Sequence, residues 1–252
     1  MTKYSLSRYG TTPKYILVGK ALRRVYESVI EFYTVPKLQK RFSHLPFSGQ
    51  AMQKLLTDYK FSSILDIGSG EGIHAETLQK HNKLVTTIDY GDSIYYEKAK
   101  TNKLNRNTII ADFNKYKFTS KYDAVWCSHV LEHQPNPNIF LTKCYGIIND
   151  GGVFAITVPP ARNTMSGGHL TNWNAGLLLY NLVLAGFDCR DASILKYGYN
   201  ISVIVKKTPA VYTNLSYDSG DLRKIKNCLP NVKFFPTEND DLFSGNIFKI
   251  NW

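Results

Sequence analysis

Three histidines in the middle of the chain are the side chains best suited to acid–base chemistry. His129 and His133 belong to residues 128–133, which read Ser-His-Val-Leu-Glu-His, and His169 follows a pair of glycines. Imidazole accepts and releases a proton near neutral pH, so each histidine can take the proton of an attacking hydroxyl group. We predict that one of the three is catalytic, and the sequence leaves open which one.

A glycine turn after an apolar run is the second chemically informative feature. Residues 64–67 read Ile-Leu-Asp-Ile, and Gly68, Gly70 and Gly72 follow at alternate positions. A strand, a glycine turn and a helix in this order open a nucleotide-sized site at the carboxyl end of the strand. Glycine is needed there because a Cβ would block the ligand or the backbone angles. Asp66 opposes a pyrophosphate, so the pattern favours a ligand with an amine or a cationic group.

Acids at the ends of the next strands predict further ligand contacts. Asp89 ends the predicted second strand, residues 83–89, and lies 19 residues after Gly70. An acid at that spacing is placed to accept both ribose hydroxyls of a nucleoside. The predicted third strand, residues 107–113, ends in Asp-Phe. The fourth, residues 121–127, runs directly into the histidine-containing string.

These motifs together resemble those of a known enzyme family. Asp-x-Gly-x-Gly-x-Gly, which starts at Asp66, resembles motif I of the class I S-adenosylmethionine-dependent methyltransferases, and residues 128–133 resemble their small-molecule (methyltransferase type 11-like) branch. The resemblance covers residues 62–160. It implies S-adenosyl-L-methionine as cofactor and an α/β fold. The expected fold is a Rossmann-like, seven-stranded, mostly parallel sheet with helices on both faces and an antiparallel last strand. Segments 192–197 and 200–206 would supply its closing hairpin.

The resemblance also implies which residues contact the cofactor. It assigns the glycine turn and the acid before it to the methionine end, and the second-strand acid to the ribose. It assigns the Asp-Phe pair to adenine and the start of the histidine string to the methionine portion. The implied cofactor-binding residues are Asp66, Gly68, Gly70, Asp89, Tyr90, Asp112, Phe113, Ser128 and His129.

Basic and aromatic residues near the expected rim are candidates for binding the methyl acceptor. The predicted substrate contacts are Arg162, His169, Trp173 and Arg41. An acceptor that is already anionic, such as a phosphate or phosphoramidate oxygen, needs no base, and positive charge would then orient it. Residues 1–60 hold 11 Lys and Arg against 3 Asp and Glu, which fits such an acceptor and also fits a solvated face.

The histidine string contains a competing pattern, His-x-x-Glu-His, which is found in zinc peptidases. Two histidines four residues apart on a helix can share one metal ion. Here the string leaves a strand and meets Pro135 and Pro137, which leave little room for a helix. We therefore expect no metal site.

Composition predicts one domain with additions at both ends. Residues 1–60 are expected to form a basic, helical N-terminal cap, and residues 61–207 the cofactor-binding domain. Residues 208–252 are expected to be an irregular, aromatic-rich extension packed on that domain, lining the substrate site or forming a homodimer contact. The four cysteines contain no C-x-x-C pair, and no apolar run reaches membrane-span length. With no signal-peptide pattern at the start, these features predict a cytoplasmic protein.

The motifs favour a small-molecule substrate over a nucleic acid. The fourth strand is followed by Ser-His-Val rather than the Asn-Pro-Pro-Tyr of DNA and RNA amino-methyltransferases. Residues 166–174 faintly resemble enzymes of bacterial surface-glycan pathways. We therefore expect O-methylation of a sugar, or of a phosphorylated or nucleotide-linked glycan precursor. Two alternatives are an RNA methyltransferase, suggested by charge, and a member that binds the cofactor without transferring methyl.

Overall fold

The structure is a computed structural model that describes residues 14–93, 95–97, 107–162, 164–236 and 241–252. The chain divides into two compact units, Met1–Val35 and Pro36–Trp252. The first 13 residues of the expected basic cap lie outside the described residues.

The first unit contains one long helix, α1 (Lys14–Thr34). This helix lies within the segment that the sequence predicts to be a helical cap. The Thr34 hydroxyl donates a 2.8 Å hydrogen bond to the carbonyl of Ile30 in the last turn. Pro36 follows two residues later and disfavours a further helical turn.

The second unit is built on an eight-stranded sheet. The strands of the unit are β1 (Ser63–Ile67), β2 (Leu84–Asp89), β3 (Asn107–Ile110), β4 (Tyr122–Ser128), β5 (Ile148–Val158), β6 (Ser193–Tyr197), β7 (Asn200–Lys206), β8 (Phe234–Pro236), β9 (Asp241–Phe243) and β10 (Lys249–Ile250). The order across the sheet is β10-β6-β7-β5-β4-β1-β2-β3, while β8 and β9 pair separately. Strands β1 to β5 run parallel, and β7 is antiparallel to both neighbours.

This topology confirms the predicted Rossmann-like α/β fold and its antiparallel last strand. The sheet also gains an eighth strand, β10, at the edge beside β6. The helices of the second unit are α2 (Gly49–Asp58), α3 (Ile73–Lys80), α4 (Pro137–Ile147), α5 (Ala175–Leu184) and α6 (Asp221–Ile225), with 3-10 turns at Lys40–Phe42, Leu131–His133 and Lys226–Cys228. Of the helices in the described residues, none combines the length and the apolar composition needed to cross a bilayer.

Alternate residues of the central strands send their side chains to two separate hydrophobic cores. Leu65 and Ile67 pack with α4 and α5 on one face of the sheet, and the four free cysteines lie in that core. Ile64 and Trp126 pack with α2 and α3 on the other face. The alternation follows from the two-residue repeat of a strand. A fully buried large apolar side chain contributes about 1.5–3 kcal/mol, so both helical layers are held firmly to the sheet.

The segment before β1 belongs to the second unit. Met52 and Leu55 of α2 are fully buried in the core that contains Trp126. The compact unit therefore begins at Pro36, whereas the sequence analysis placed the end of the cap at residue 60.

The C-terminal segment after residue 207 is part of the second unit and packs against both of its hydrophobic cores. Tyr212, Phe234 and Phe243 contact the core that contains α4 and α5, and Trp252 contacts the opposite core. Strand β10 pairs with β6.

Helix α5 begins directly after the loop that carries His169 and Trp173. The Asn174 side chain caps it, because its Oδ1 accepts the Leu177 N–H at 2.8 Å. Just before the cap, Trp173 pairs with Pro160 in a short parallel bridge and is buried. Residues 164–173 therefore form a loop that follows β5 and returns to the start of α5.

Candidate functional site

The glycine turn after β1 has the backbone conformation that the sequence predicts. Gly68, Gly70 and Gly72 have φ angles of 69°, 47° and 80°, in the left-handed region that favours glycine. A Cβ on Gly68 would lie 2.5 Å from Cγ2 of Val130, so the turn packs directly under the loop that follows β4. This close packing brings the ends of β1 and β4 together.

Asp89 joins the glycine turn to the end of β2. Its Oδ2 accepts the Gly70 N–H at 2.8 Å, and its Oδ1 accepts the Gly91 N–H at 3.1 Å. A carboxylate oxygen can accept more than one hydrogen bond, so Asp89 retains the capacity to bind hydroxyl groups. These contacts orient its carboxylate at the carboxyl ends of β1 and β2, where the sequence analysis expected the ribose.

Asp112 is held at the end of β3 by neighbouring donors. Its Oδ1 accepts the Tyr90 hydroxyl at 3.0 Å and the Asn114 N–H at 2.9 Å. Partial burial raises the pKa of Asp112, but these hydrogen bonds outweigh it and hold the pKa below its usual value. Burial and the nearby carboxylate raise the pKa of Tyr90. Asp112 is therefore ionised and already bonded to Tyr90, so the two predicted residues act as one unit.

A cleft lies between these strand ends and the loop after β4. Its walls are mainly apolar and include Phe113, which packs 4.9 Å from Phe140 between ring centroids. Asn114 lines the same cleft, and its buried Oδ1 has no hydrogen-bond partner among the described residues. The residues that line the cleft are Ile67, Gly68, Ile88, Asp89, Tyr90, Ala111, Phe113, Asn114, Val130, Gln134 and Phe140.

These features fit an adenosine group. Apolar side chains can cover a purine, Asp89 can accept ribose hydroxyls, and the Asn114 amide oxygen can accept an exocyclic amine. The Asn114 amide nitrogen donates to Gln134 Oε1 at 2.9 Å, which fixes the orientation of the oxygen. The sequence analysis missed Asn114, although its position directly after the Asp-Phe pair was an available signal.

At the end of β4, Ser128 and His129 turn toward residues from distant segments. The hydroxyls of Ser128 and Ser48 are 2.6 Å apart. His129 has a φ angle of 56°, and its N–H donates to the carbonyl of Thr157 at 2.9 Å. The backbone after β4 is thus held in an unusual conformation by the neighbouring strand β5.

Two oxygen atoms fix the imidazole of His129. Nε2 lies 3.0 Å from Asn200 Oδ1, and Nδ1 lies 3.3 Å from Glu132 Oε1. Asn200 Oδ1 also accepts the Ser48 N–H, while the Asn200 amide nitrogen donates to the carbonyl of Tyr197. The Nε2 of His129 is therefore a donor, so only its Nδ1, which faces Glu132, could accept a proton.

The structure brings the three predicted catalytic histidines around one carboxylate. Glu132 is fully buried, with His129 Nδ1 and His133 Nε2 at 3.3 Å and 3.9 Å from its Oε1. The ring of His169 meets that of His133 edge to face, with centroids 4.9 Å apart. Glu132 was not among the predicted site residues.

Aromatic and basic side chains surround His129. The Phe47 ring lies 4.6 Å from the His129 ring, and Tyr199 stacks on its imidazole at 5.8 Å. The Arg162 guanidinium sits 4.1 Å over the Tyr199 ring. Arg162, predicted as a substrate contact, therefore joins the mouth of the site. Phe47, Tyr199 and Asn200 were missed, because they come from segments without a recognisable motif.

The other two predicted substrate contacts lie elsewhere. Trp173 is 2% exposed, and its indole N–H donates to Thr171 Oγ1 at 2.9 Å, so it supports the loop from inside. Arg41 lies over the ring of Phe42 in the 3-10 turn before α2. Among the described residues, Arg41 makes no hydrogen bond, ion pair or ring contact with the residues around His129. Both placements differ from the roles that the sequence suggested.

His74 is a further histidine near this mouth that the sequence analysis did not select. Its Nε2 lies 3.1 Å from the carbonyl of Phe47, and its ring is 5.2 Å from that of Trp126. Burial lowers the pKa of His74 to about 4, with a smaller effect from His129. His74 is consequently neutral at physiological pH and can donate to the carbonyl.

Comparison with known proteins matches the central part of the chain. Residues 65–156 match the family described as methyltransferase domain. Over 97 residues the chain is 32% identical to the ubiquinone biosynthesis O-methyltransferase of Coxiella burnetii (strain RSA 493 / Nine Mile phase I). The matched part is 37% of this chain and 42% of that enzyme, so the chain spans less than half the length of this relative.

Solved methyltransferase structures share the fold at low sequence identity. The 1,6-didemethyltoxoflavin-N1-methyltransferase of Burkholderia thailandensis, solved with its namesake compound and S-adenosylhomocysteine, has a TM-score of 0.54 at 14% identity, over 82% of this chain and 93% of that one. The N-methyltransferase NodS of Bradyrhizobium japonicum WM9, solved with S-adenosylhomocysteine, has a TM-score of 0.52 at 15% identity, over 69% and 93%. Strand order, glycine turn and family match agree that residues 65–156 form a methyltransferase domain within a Rossmann-like sheet.

Proposed function

We propose that the protein is an enzyme that transfers the methyl group of S-adenosylmethionine to an oxygen atom of a small-molecule acceptor. The observation that carries this proposal is the cleft at the ends of β1, β2 and β3. There Asp89 and the unpaired amide oxygen of Asn114 face apolar walls. These are the groups that a nucleoside needs. The bound cofactor would supply an electrophilic methyl group on its sulfonium.

The protein itself has mainly to align the acceptor and to exclude water, because the cofactor carries its own leaving group. We assign the adenine and ribose to the cleft, and the methionine end to the glycine turn with Asp66. Phe47, Tyr199 and His129 form an aromatic wall next to the end of β4. We assign the acceptor to that wall, since the methyl group has to meet it beyond the methionine end.

Charge at this wall favours an acceptor with an acidic group. The exposed Arg162 guanidinium rests on the Tyr199 ring and can bind a carboxylate or phosphate there. Oxygen as the acceptor atom is supported by the curated relative, which is named an O-methyltransferase of ubiquinone biosynthesis. A surface-glycan precursor, which the sequence led us to expect, can also carry an acidic group and a hydroxyl. No relative named above supports that substrate, so it stays a prediction.

An acceptor hydroxyl has to lose its proton as the methyl group arrives. We assign this step to the cluster of Glu132, His133 and His169 rather than to His129, whose Nε2 donates to Asn200. An acceptor whose reacting oxygen is already deprotonated would need no base, only the side chains that align it with the methyl group. The predicted catalytic roles of His133 and His169 thus remain part of this proposal.

Methyl-labelled S-adenosylmethionine tests the proposal against a panel of acceptors. The panel contains hydroxylated aromatic acids, sugar phosphates and nucleotide-sugars, each beside its O-methylated counterpart as a blocked control. We expect label in at least one acidic hydroxyl compound and none in its blocked counterpart. If the protein binds S-adenosylhomocysteine but labels nothing, including crude small-molecule extracts, a non-catalytic binding role would replace the proposal.

A further inference from the structure

The carboxylate of Glu132 has surroundings that call for a ligand. The residue is fully buried, and neither of its carboxylate oxygens has a hydrogen-bond partner among the described residues. A buried carboxylate is costly unless it is paired or coordinates a metal ion. The nearby nitrogens of His129 and His133, at 3.3 Å and 3.9 Å from Oε1, do not meet hydrogen-bond geometry.

Three side chains converge here with donor atoms suited to a metal ion. One ligand atom each from Glu132, His133 and His169 lies within 4.8 Å of the other two. Tetrahedral ligands at about 2.1 Å from a common ion lie about 3.4 Å apart, so the donor atoms of each pair have to approach by at most about 1.4 Å. Small side-chain rotations provide such a shift.

His133 is oriented in the way that metal-binding histidines usually are. Its Nδ1 lies 2.7 Å from the carbonyl of Gly168 and must donate to it, which leaves the Nε2 lone pair facing Glu132. Hydrogen bonding of the second ring nitrogen to a carbonyl fixes the tautomer of a metal ligand. Gly168 has a φ angle of 78°, and a Cβ there would lie 3.1 Å from His133 Nδ1. Glycine is therefore required for this contact.

The loop that carries His169 is attached to Glu132 through the backbone. The N–H groups of Leu170 and Thr171 both donate to the Glu132 carbonyl, at 2.8 Å and 3.2 Å. These bonds hold Leu170 and Thr171 against Glu132. They therefore keep the adjacent His169 close to His133. The three donors are consequently preorganised by the backbone, although they come from two separate segments.

We propose that Glu132, His133 and His169 bind a divalent first-row transition-metal ion such as Zn²⁺, Fe²⁺, Co²⁺ or Mn²⁺. Two imidazoles and one carboxylate favour these ions over Mg²⁺ and Ca²⁺, which prefer oxygen ligands. The His133 side chain is 43% exposed, so the ion keeps open positions for water or for an acceptor oxygen.

This differs from the absence of metal that the sequence analysis expected. That expectation concerned the His-x-x-Glu-His pattern, which pairs His129 with His133 on one helix. In the structure His129 is turned toward Asn200, and the third ligand is His169 from the loop after β5. Binding of the ion is independent of methyl transfer. Only its role rests on the proposed function: with the ion bound, the side chains of the cluster no longer take the acceptor proton themselves, and the ion instead holds the acceptor oxygen and eases loss of its proton to water.

The direct test is a Co²⁺ titration of tag-free, chelator-treated protein, followed by visible absorption and calorimetry. We expect one ion per chain, displaced by Zn²⁺, and affinity lowered by more than about tenfold in His133→Ala and His169→Ala. The control is His44→Ala, because His44 is an exposed histidine whose contact is with Thr77, outside the cluster. Its affinity should equal that of the wild type.

Failure of the inference and failure of the proposed function have different signatures. Absence of a Co²⁺ spectrum, or equal Co²⁺ affinity in the wild type and both cluster variants, overturns the metal site. Circular dichroism and S-adenosylhomocysteine binding on the same samples establish that each variant is folded. The predicted combination is lost metal binding with retained binding of S-adenosylhomocysteine.

Discussion

The Gly70 amide donates a 2.8 Å hydrogen bond to Oδ2 of Asp89, which ties the turn after β1 to the end of β2. Nineteen residues separate the two partners along the chain. The bond orients the carboxylate and, at the same time, holds the turn in its left-handed conformation. A single acid thus has two roles, shaping the cofactor cleft and offering acceptors to the ligand inside it.

Replacement of this acid should therefore reduce cofactor affinity strongly. In Asp89→Ala the ribose acceptors and the anchor of Gly70 are lost together, and we expect S-adenosylhomocysteine binding to weaken by about 2–4 kcal/mol. Calorimetry measures the change. Asp58→Ala is the matched control, since Asp58 pairs with Lys54 at the end of α2. Equal affinity in Asp89→Ala and the control would contradict the ribose assignment.

Asn114 should contribute to recognition of the adenine amine. Asn114→Ala removes the acceptor and is expected to weaken S-adenosylhomocysteine binding by about 1–2 kcal/mol. The same substitution should change little for an analogue whose purine lacks the exocyclic amine, because no donor is then present. Equal losses for both ligands in calorimetry would show that Asn114 acts only through packing.

Arg162 should affect the acceptor and not the cofactor. For an acidic acceptor, Arg162→Ala is expected to raise KM by roughly tenfold, which corresponds to the loss of a charge-assisted hydrogen bond. S-adenosylmethionine affinity should stay unchanged. Arg190→Ala provides the control, since Arg190 is an exposed arginine paired with Asp188. A KM for the acidic acceptor that is unaltered in Arg162→Ala would exclude the assigned contact.

The lowered pKa of His74 should make the free energy of unfolding depend on pH. Its pKa in the folded state is about 4 against 6.5 for an unperturbed histidine, so the unfolded chain binds more protons between these values. The free energy of unfolding therefore has its full value, with respect to His74, above pH 6.5. It falls by at most about 3 kcal/mol as the pH drops toward 4. Urea unfolding at several pH values measures it. His74→Gln retains a donor for Phe47 and should flatten the slope; an unchanged slope would assign the effect to other groups.

Much of the sheet was predictable because its strands carry strong local signals. The apolar run before Gly68 and the run that ends at Asp89 locate β1 and β2 within one residue of the observed bounds. Strand β10 could not be predicted in the same way. It is two residues long and forms only because the C-terminal segment packs beside β6.

The site was predictable only where its residues end strands. Asp89, Asp112 and Phe113 follow apolar runs; Asp89 and Phe113 line one cleft, and Asp112 accepts a hydrogen bond from Tyr90, which also lines it. Asn200 meets His129 across 71 residues of sequence, and no local pattern indicates that contact. Burial of Trp173 likewise depends on tertiary packing, which an aromatic residue in a glycine-led loop does not reveal.

Whether the cleft at the ends of β1, β2 and β3 binds the cofactor can be measured by calorimetric titration of the wild-type protein with S-adenosylhomocysteine. We expect binding at one site per chain with micromolar affinity, and competition with S-adenosylmethionine for that site. A sample that is folded by circular dichroism yet releases or absorbs no binding heat at several temperatures would contradict the assignment of the cleft. The proposed methyl transfer would then have no cofactor site on which to rest.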